Sequence, residues 1–135
     1  MIVLDASLMA AWLFGERPSP ALHVYNALPD VPIVVPAHWP IEISNALRTN
    51  LHQGRITAEH FQLILDELDG LAIHVEPSID LDDIVPLANF AEIHKLTAYD
   101  AVYLQLATQR QAILATLDEQ MRSSARALNI PLLPA

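Results

Sequence analysis

Apolar residues fall along this chain in two alternating patterns. Short unbroken runs, IVL at 2–4, IVVP at 33–36, LAIHV at 71–75, AILAT at 112–116 and IPLL at 130–133, have the length and composition of strands buried on both faces. Longer stretches with helical spacing separate them. SLMAAWLFG at 7–15 predicts a helix stopped by Gly15, and RPSP at 17–20 predicts a turn. PALHVYNAL at 20–28 predicts a helix with proline near its start, followed by a PDVP turn. Residues 38–52 predict a helix with Gly54 just beyond it. Residues 57–69 predict an amphipathic helix capped by Thr57, with Phe61, Ile64, Leu65 and Leu68 on one stripe. Residues 82–94 predict a helix that opens on paired aspartates, where Pro86 falls early enough to be tolerated. The last two helices span 97–109 and 118–128; the second carries arginines toward its end, favourable to the helix dipole, and is stopped by Asn129. Strands that alternate with helices predict a central, mainly parallel sheet of four to five strands with helices on both faces.

Composition narrows this to one domain over residues 1–135, 53% hydrophobic and only 17% charged, which excludes disorder. No apolar run approaches the ~20 residues of a membrane span, so no membrane partner is expected. The start, MIVLDASLMA, has no basic region and is interrupted by Asp5, so no signal peptide is expected. The absence of cysteine excludes disulfides and thiolate metal sites and fits a cytoplasmic protein. The net charge of −9 and a single lysine, Lys95, argue against a protein that simply coats nucleic acid. A nucleic-acid partner would be met through a metal ion, a few arginines or a second subunit. The high apolar fraction points to surface covered by another chain.

In a parallel sheet with helices on both faces, ligands bind beyond the carboxyl ends of the strands. Asp5 ends the first strand, Glu42 lies early in the helix after IVVP, Asp100 opens the helix after Thr97, and Asp118 follows AILAT. Each also suits a local structural job. Asp5 and Asp118 are good N-caps, Thr97 and Asp100 have capping-box spacing, and Glu42 favours a helix N-terminus. Asp66, Glu67, Asp69, Asp82 and Asp83 read as solvated charge. Caps need not converge on one point, however. Two carboxylates ~4 Å apart repel by about 4 kcal/mol at an effective dielectric of 20, and no lysine cluster is present to neutralise them. A divalent cation is the economical answer, and oxygen-only ligands favour Mg²⁺ or Mn²⁺ over zinc. Ser7, Asn45 and Thr116 are placed to hold carboxylates or metal waters, with capping and strand-end hydroxyls as the plainer reading for Ser7 and Thr116. Asn45 stands out because it interrupts an otherwise apolar face near Ile41 and Ala46.

DAS at 5–7, EISN at 42–45, TAYDA at 97–101 and TLD at 116–118 together resemble the motif series of PIN-domain nucleases, and more narrowly that of VapC-type toxins of toxin–antitoxin pairs. The resemblance runs from the first strand to the last helix. It implies a three-layer α/β/α sandwich, a Mg²⁺- or Mn²⁺-dependent ribonuclease, a homodimer, and neutralisation by a small VapB-like antitoxin. It also implies that Asp5, Glu42, Asp100 and Asp118 form the acidic metal site, with Ser7, Asn45, Thr97 and Thr116 in support.

The remaining residues read more plainly. The histidines lack metal-site spacing; His38 is four residues from Glu42, yet reads as a surface or interface residue. Trp12, Leu13 and Phe14 read as core, with an antitoxin groove as the reading the resemblance adds. Trp39 reads as packing and Arg48 as solvated or ion-paired. An aspartyl phosphotransferase of the haloacid-dehalogenase type wants D-x-D where this chain has Asp5-Ala6-Ser7. A receiver-like domain wants adjacent acids there and a lysine late in the sheet. A PIN-like interaction module without catalysis keeps the architecture and loses the metal.

Overall fold

Every apolar run forms a strand in the computed structural model, which describes residues 1–16 and 21–135. The strands are β1 (Ile2–Leu4), β2 (Ile33–Val35), β3 (Ile73–Val75), β4 (Ile113–Ala115) and β5 (Leu132–Leu133). All pair in parallel, in the order β3-β2-β1-β4-β5. The inner strands β1 and β2 are buried throughout, whereas the edge strands β3 and β5 are partly open to solvent. That gradient explains why IVL and IVV are continuously apolar while β3 carries His74.

Seven α-helices connect the strands among the described residues: α1 (Ala6–Leu13), α2 (Leu22–Ala27), α3 (Trp39–His52), α4 (His60–Asp69), α5 (Ile84–His94), α6 (Ala98–Arg110) and α7 (Glu119–Ala127). From β1 the chain steps to β2 and then β3. It then crosses back over the sheet to β4 and β5. Parallel crossovers are right-handed, so reversing the direction of travel moves the connecting helices to the opposite face. The packing agrees: α1 lies against α3, while α5 lies against α6 and α6 against α7. The result is a three-layer α/β/α fold with a five-stranded parallel sheet, as the alternation of runs predicts. Among the described residues, no helix is long and apolar enough to cross a membrane.

The core surrounds the middle of the sheet. Val3, Leu4, Val35, Leu104 and Leu114 are essentially inaccessible, and Trp12, Leu13 and Phe14 pack against this core while partly exposed. Trp39 is buried and its indole N–H donates to the Leu4 carbonyl at 3.0 Å, which ties the start of α3 to the end of β1. A smaller cluster, Leu87, Ala91 and Ala101, joins α5 to α6.

Several expected details differ. The RPSP turn and Pro20 lie outside the described residues. Thr57 does not cap α4, which begins at His60. The Thr57 amide donates instead to His60 Nδ1 at 2.9 Å and its hydroxyl faces the same ring, so the segment closes as a turn before the helix starts. Of the stripe on α4, only Ile64 is buried; Phe61 and Leu65 are 37% and 53% exposed. The helix expected from Asp82 begins at Ile84, after a 3-10 turn over Leu81–Asp83 that Asp80 and Asp83 close reciprocally as a capping box. Arg122 does not serve the end of α7: it is buried, and its guanidinium donates to the Thr116 carbonyl at 3.0 Å.

Candidate active site

Strands are added to one side of β1 and then, from β4, to the other, which makes the carboxyl end of the parallel β1–β4 pair the topological switch point, where two loops part and leave a crevice. Register levels the two ends, with Leu4 opposite Ala115 and the Asp5 amide donating to the Ala115 carbonyl at 3.0 Å. The next residues on either side are Asp5 and Thr116. Their side chains meet: Thr116 Oγ1 donates to Asp5 Oδ2 at 2.8 Å.

Asp5 is the N-cap of α1, and its Oδ1 accepts the Ser7 amide at 3.3 Å. Ser7 Oγ adds a second bond to Oδ2 at 2.9 Å. The carboxylate is only 5% exposed. Burial pushes its pKa above the ordinary 3.8, against the hydrogen bonds from Thr116 and Ser7, and the nearby Glu42 charge adds to the rise. Asp118 caps α7 by accepting the Met121 amide at 2.8 Å, and its own amide donates to Thr116 Oγ1 at 3.1 Å. One hydroxyl therefore fixes both aspartates. Asp5 and Asp118 are both N-caps, and the same threonine links them.

Asp100 and Glu42 approach from the two helical layers. Thr97 caps α6 by accepting the Asp100 amide at 3.2 Å, and its side chain also bonds the Asp100 carboxylate, which favours the charged form. Asp100 is half-buried, and its pKa is raised first by desolvation and then by the charges of Asp118, Asp5 and Glu42. Acids from four separate stretches of chain thus share one electrostatic field. Glu42 lies in the first turn of α3, and its Oε1 accepts the Tyr103 hydroxyl at 2.9 Å. Among the described residues, no three histidine or acidic side chains stand close enough together to ligate a single ion. The donor set is nonetheless hard-cation chemistry: carboxylate oxygens that repel one another.

Two further residues border the site, and Asn45 stands apart from its carboxylates. His38 is partly buried: its ring sits edge-on to Tyr99 and Tyr103, each 5.5 Å away, and its Nε2 lies 2.9 Å from Glu42 Oε1. Its i,i+4 spacing to Glu42 was the available signal. Tyr103 is the second, three residues after Asp100 and so on the same face of α6. Asn45 does not lie on an apolar face. It is exposed, its neighbour Ile41 is 71% exposed, and it bonds no carboxylate among the described residues. It lines a groove of about 250 Å³ between α1 and α3, together with Ser7 and Glu42. The groove leads away from Glu42 and is not bordered by Asp5, Asp100 or Asp118. Arg48 is exposed, as expected.

The family model described as PIN domain matches residues 2–127 of the chain. No curated protein matches the chain.

Proposed function

The chain belongs to the PIN-domain family, and on that premise we propose that it is a Mg²⁺- or Mn²⁺-dependent ribonuclease, the toxin of a toxin–antitoxin pair. The observation that carries the nuclease reading is the field at Asp100, where desolvation and the charges of Asp118, Asp5 and Glu42 all act against ionisation. Phosphodiesters are anionic, and four uncompensated carboxylates would repel them. A divalent cation, when bound, would reverse the sign of that field and would supply water activation and stabilisation of a leaving oxygen. Asp5, Glu42, Asp100 and Asp118 are the residues that would hold it. Ser7 and Thr116 fix the two Asp5 oxygens, and Thr116 sets the backbone at Asp118. Thr97 sets the start of α6 and with it the direction of Asp100.

RNA, a small VapB-like antitoxin and a second copy of the chain are the proposed partners, in the cytoplasm. Large apolar side chains left open along the start and outer face of α5 support a covered surface, among them Leu81 at 84%, Val85 at 65% and Ile93 at 74% exposed.

The experiment is cleavage of cellular RNA by purified protein with Mn²⁺, against Asp5→Asn and Asp100→Asn. Asparagine keeps the N-cap at residue 5, so both variants should fold and both should lose metal-dependent cleavage. Full cleavage by either folded variant would refute the assignment.

A further inference from the structure

A buried tyrosine hydroxyl is costly unless it is hydrogen-bonded. Tyr103 has none of its surface exposed, and its hydroxyl is placed where three elements meet. It accepts the amide of Ala6, the first residue of α1, at 3.3 Å and donates to Glu42 Oε1 at 2.9 Å. The amide is one of the N-terminal groups a helix cannot satisfy itself. With its lone pair engaged by that amide, the hydroxyl proton is directed at the carboxylate. These contacts span 97 and 61 residues of sequence, and no local propensity demands either. Phenylalanine would fill the same ring volume without the bond.

A second group lies close to the same oxygen, although it forms no hydrogen bond with it. His38 packs edge-on against the Tyr103 ring with its Nε2 2.9 Å from Oε1. Oε2 accepts no hydrogen bond from the described residues. The Glu42 side chain is 36% exposed, so the unbonded oxygen belongs to a carboxylate that solvent reaches.

We infer that Tyr103 is a positioning residue for Glu42. Its hydroxyl occupies Oε1, ties that oxygen to the N-terminus of α1, and leaves Oε2 as the oxygen free to ligate a cation. The separation between the Asp5 and Glu42 carboxylates is thereby set by one hydroxyl from the opposite layer. The inference rests on the metal-dependent reading of the site.

The test is a calorimetric titration of Mn²⁺ into wild type, Tyr103→Phe, Glu42→Gln and the double variant. Loss of an outer group that orients a ligand typically weakens metal binding roughly 10- to 100-fold, and Tyr103→Phe should fall in that range. In the Glu42→Gln background the same change should cost almost nothing further, because the hydroxyl acts through Glu42. A merely structural tyrosine would weaken both backgrounds equally. Unchanged affinity in folded Tyr103→Phe, or losses that multiply in the double variant, would overturn the inference and leave the metal reading standing. A wild type that takes up no Mn²⁺ would overturn both. A second measurement does not require Tyr103→Phe to fold. In metal-free wild type the shielded Tyr103 hydroxyl proton should give a slowly exchanging NMR resonance that moves in Glu42→Gln. A resonance indifferent to that substitution would also overturn the inference.

Discussion

Asp5 and Asp100 are the same side chain in the same electrostatic field, yet the fold treats them differently. Asp5 is 5% exposed, caps a helix and accepts bonds from the Ser7 amide, the Ser7 hydroxyl and the Thr116 hydroxyl. Asp100 is half-buried, and the hydrogen bond from the Thr97 side chain counts for less at its carboxylate than the charges around it. Both have pKa values above 3.8, led by desolvation, but the next influence at Asp5 is a hydrogen bond that opposes the rise, and at Asp100 a neighbouring charge that adds to it. One carboxylate is part of the architecture. The other is held in place by the helix that carries it and is opposed by its neighbours. A site that contains both has a rigid floor and a wall where repulsion outweighs support.

The largest effect that sharpens this contrast is on stability. Asp5→Ala removes an N-cap and strands the buried Thr116 hydroxyl, and should cost about 2–4 kcal/mol in urea unfolding. Asp100→Ala should cost far less. Equal losses would erase the distinction. Thr116→Val keeps the shape but deletes the hydroxyl between Asp5 and Asp118, and should cost about 1–3 kcal/mol. A smaller loss would mean that Asp5 is held by Ser7 alone.

Asp100→Asn should act in the opposite direction without metal. It relieves repulsion from Asp118, Asp5 and Glu42, and with solvent screening the gain is a few tenths of a kcal/mol, on the order of ~0.3. Its melting temperature in EDTA should therefore rise slightly; a fall would show that the Asp100 carboxylate is compensated. The smallest effect lies in pH. Raised pKa values mean that the folded state binds these protons more tightly than the unfolded chain does. The contribution of Asp5 and Asp100 to metal-free stability thus declines as pH climbs from 3.8 through each raised pKa, and the decline is complete above it. Melts across that window should show a shallower decline for Asp100→Asn than for wild type. Identical slopes would contradict the assignment.

Local chemistry was what the sequence made readable. Apolar runs marked the five strands, and the cap positions of Asp5, Thr97 and Asp118 followed from residue type and spacing. The order of strands was not legible, because pairing β1 with β4 depends on contacts far apart in the chain. Tyr103 was hidden for a related reason: within α6 it reads as one more core aromatic, and only packing shows that its hydroxyl crosses to α1 and α3. His38 was undervalued because spacing to Glu42 alone does not reveal two flanking tyrosine rings. Asn45 was overvalued because the apolar face assumed around it includes an exposed Ile41. On α4, Phe61 and Leu65 kept helical periodicity without burial, so periodicity alone could not tell a core face from an open one.

Where a cation binds decides between a metal-dependent site and a set of local caps. Crystals soaked in Mn²⁺ and measured at the manganese absorption edge should give anomalous density bounded by oxygens of Asp5, Glu42, Asp100 and Asp118, and none there in Asp100→Asn. Density elsewhere on the surface, or none in wild type, would contradict it.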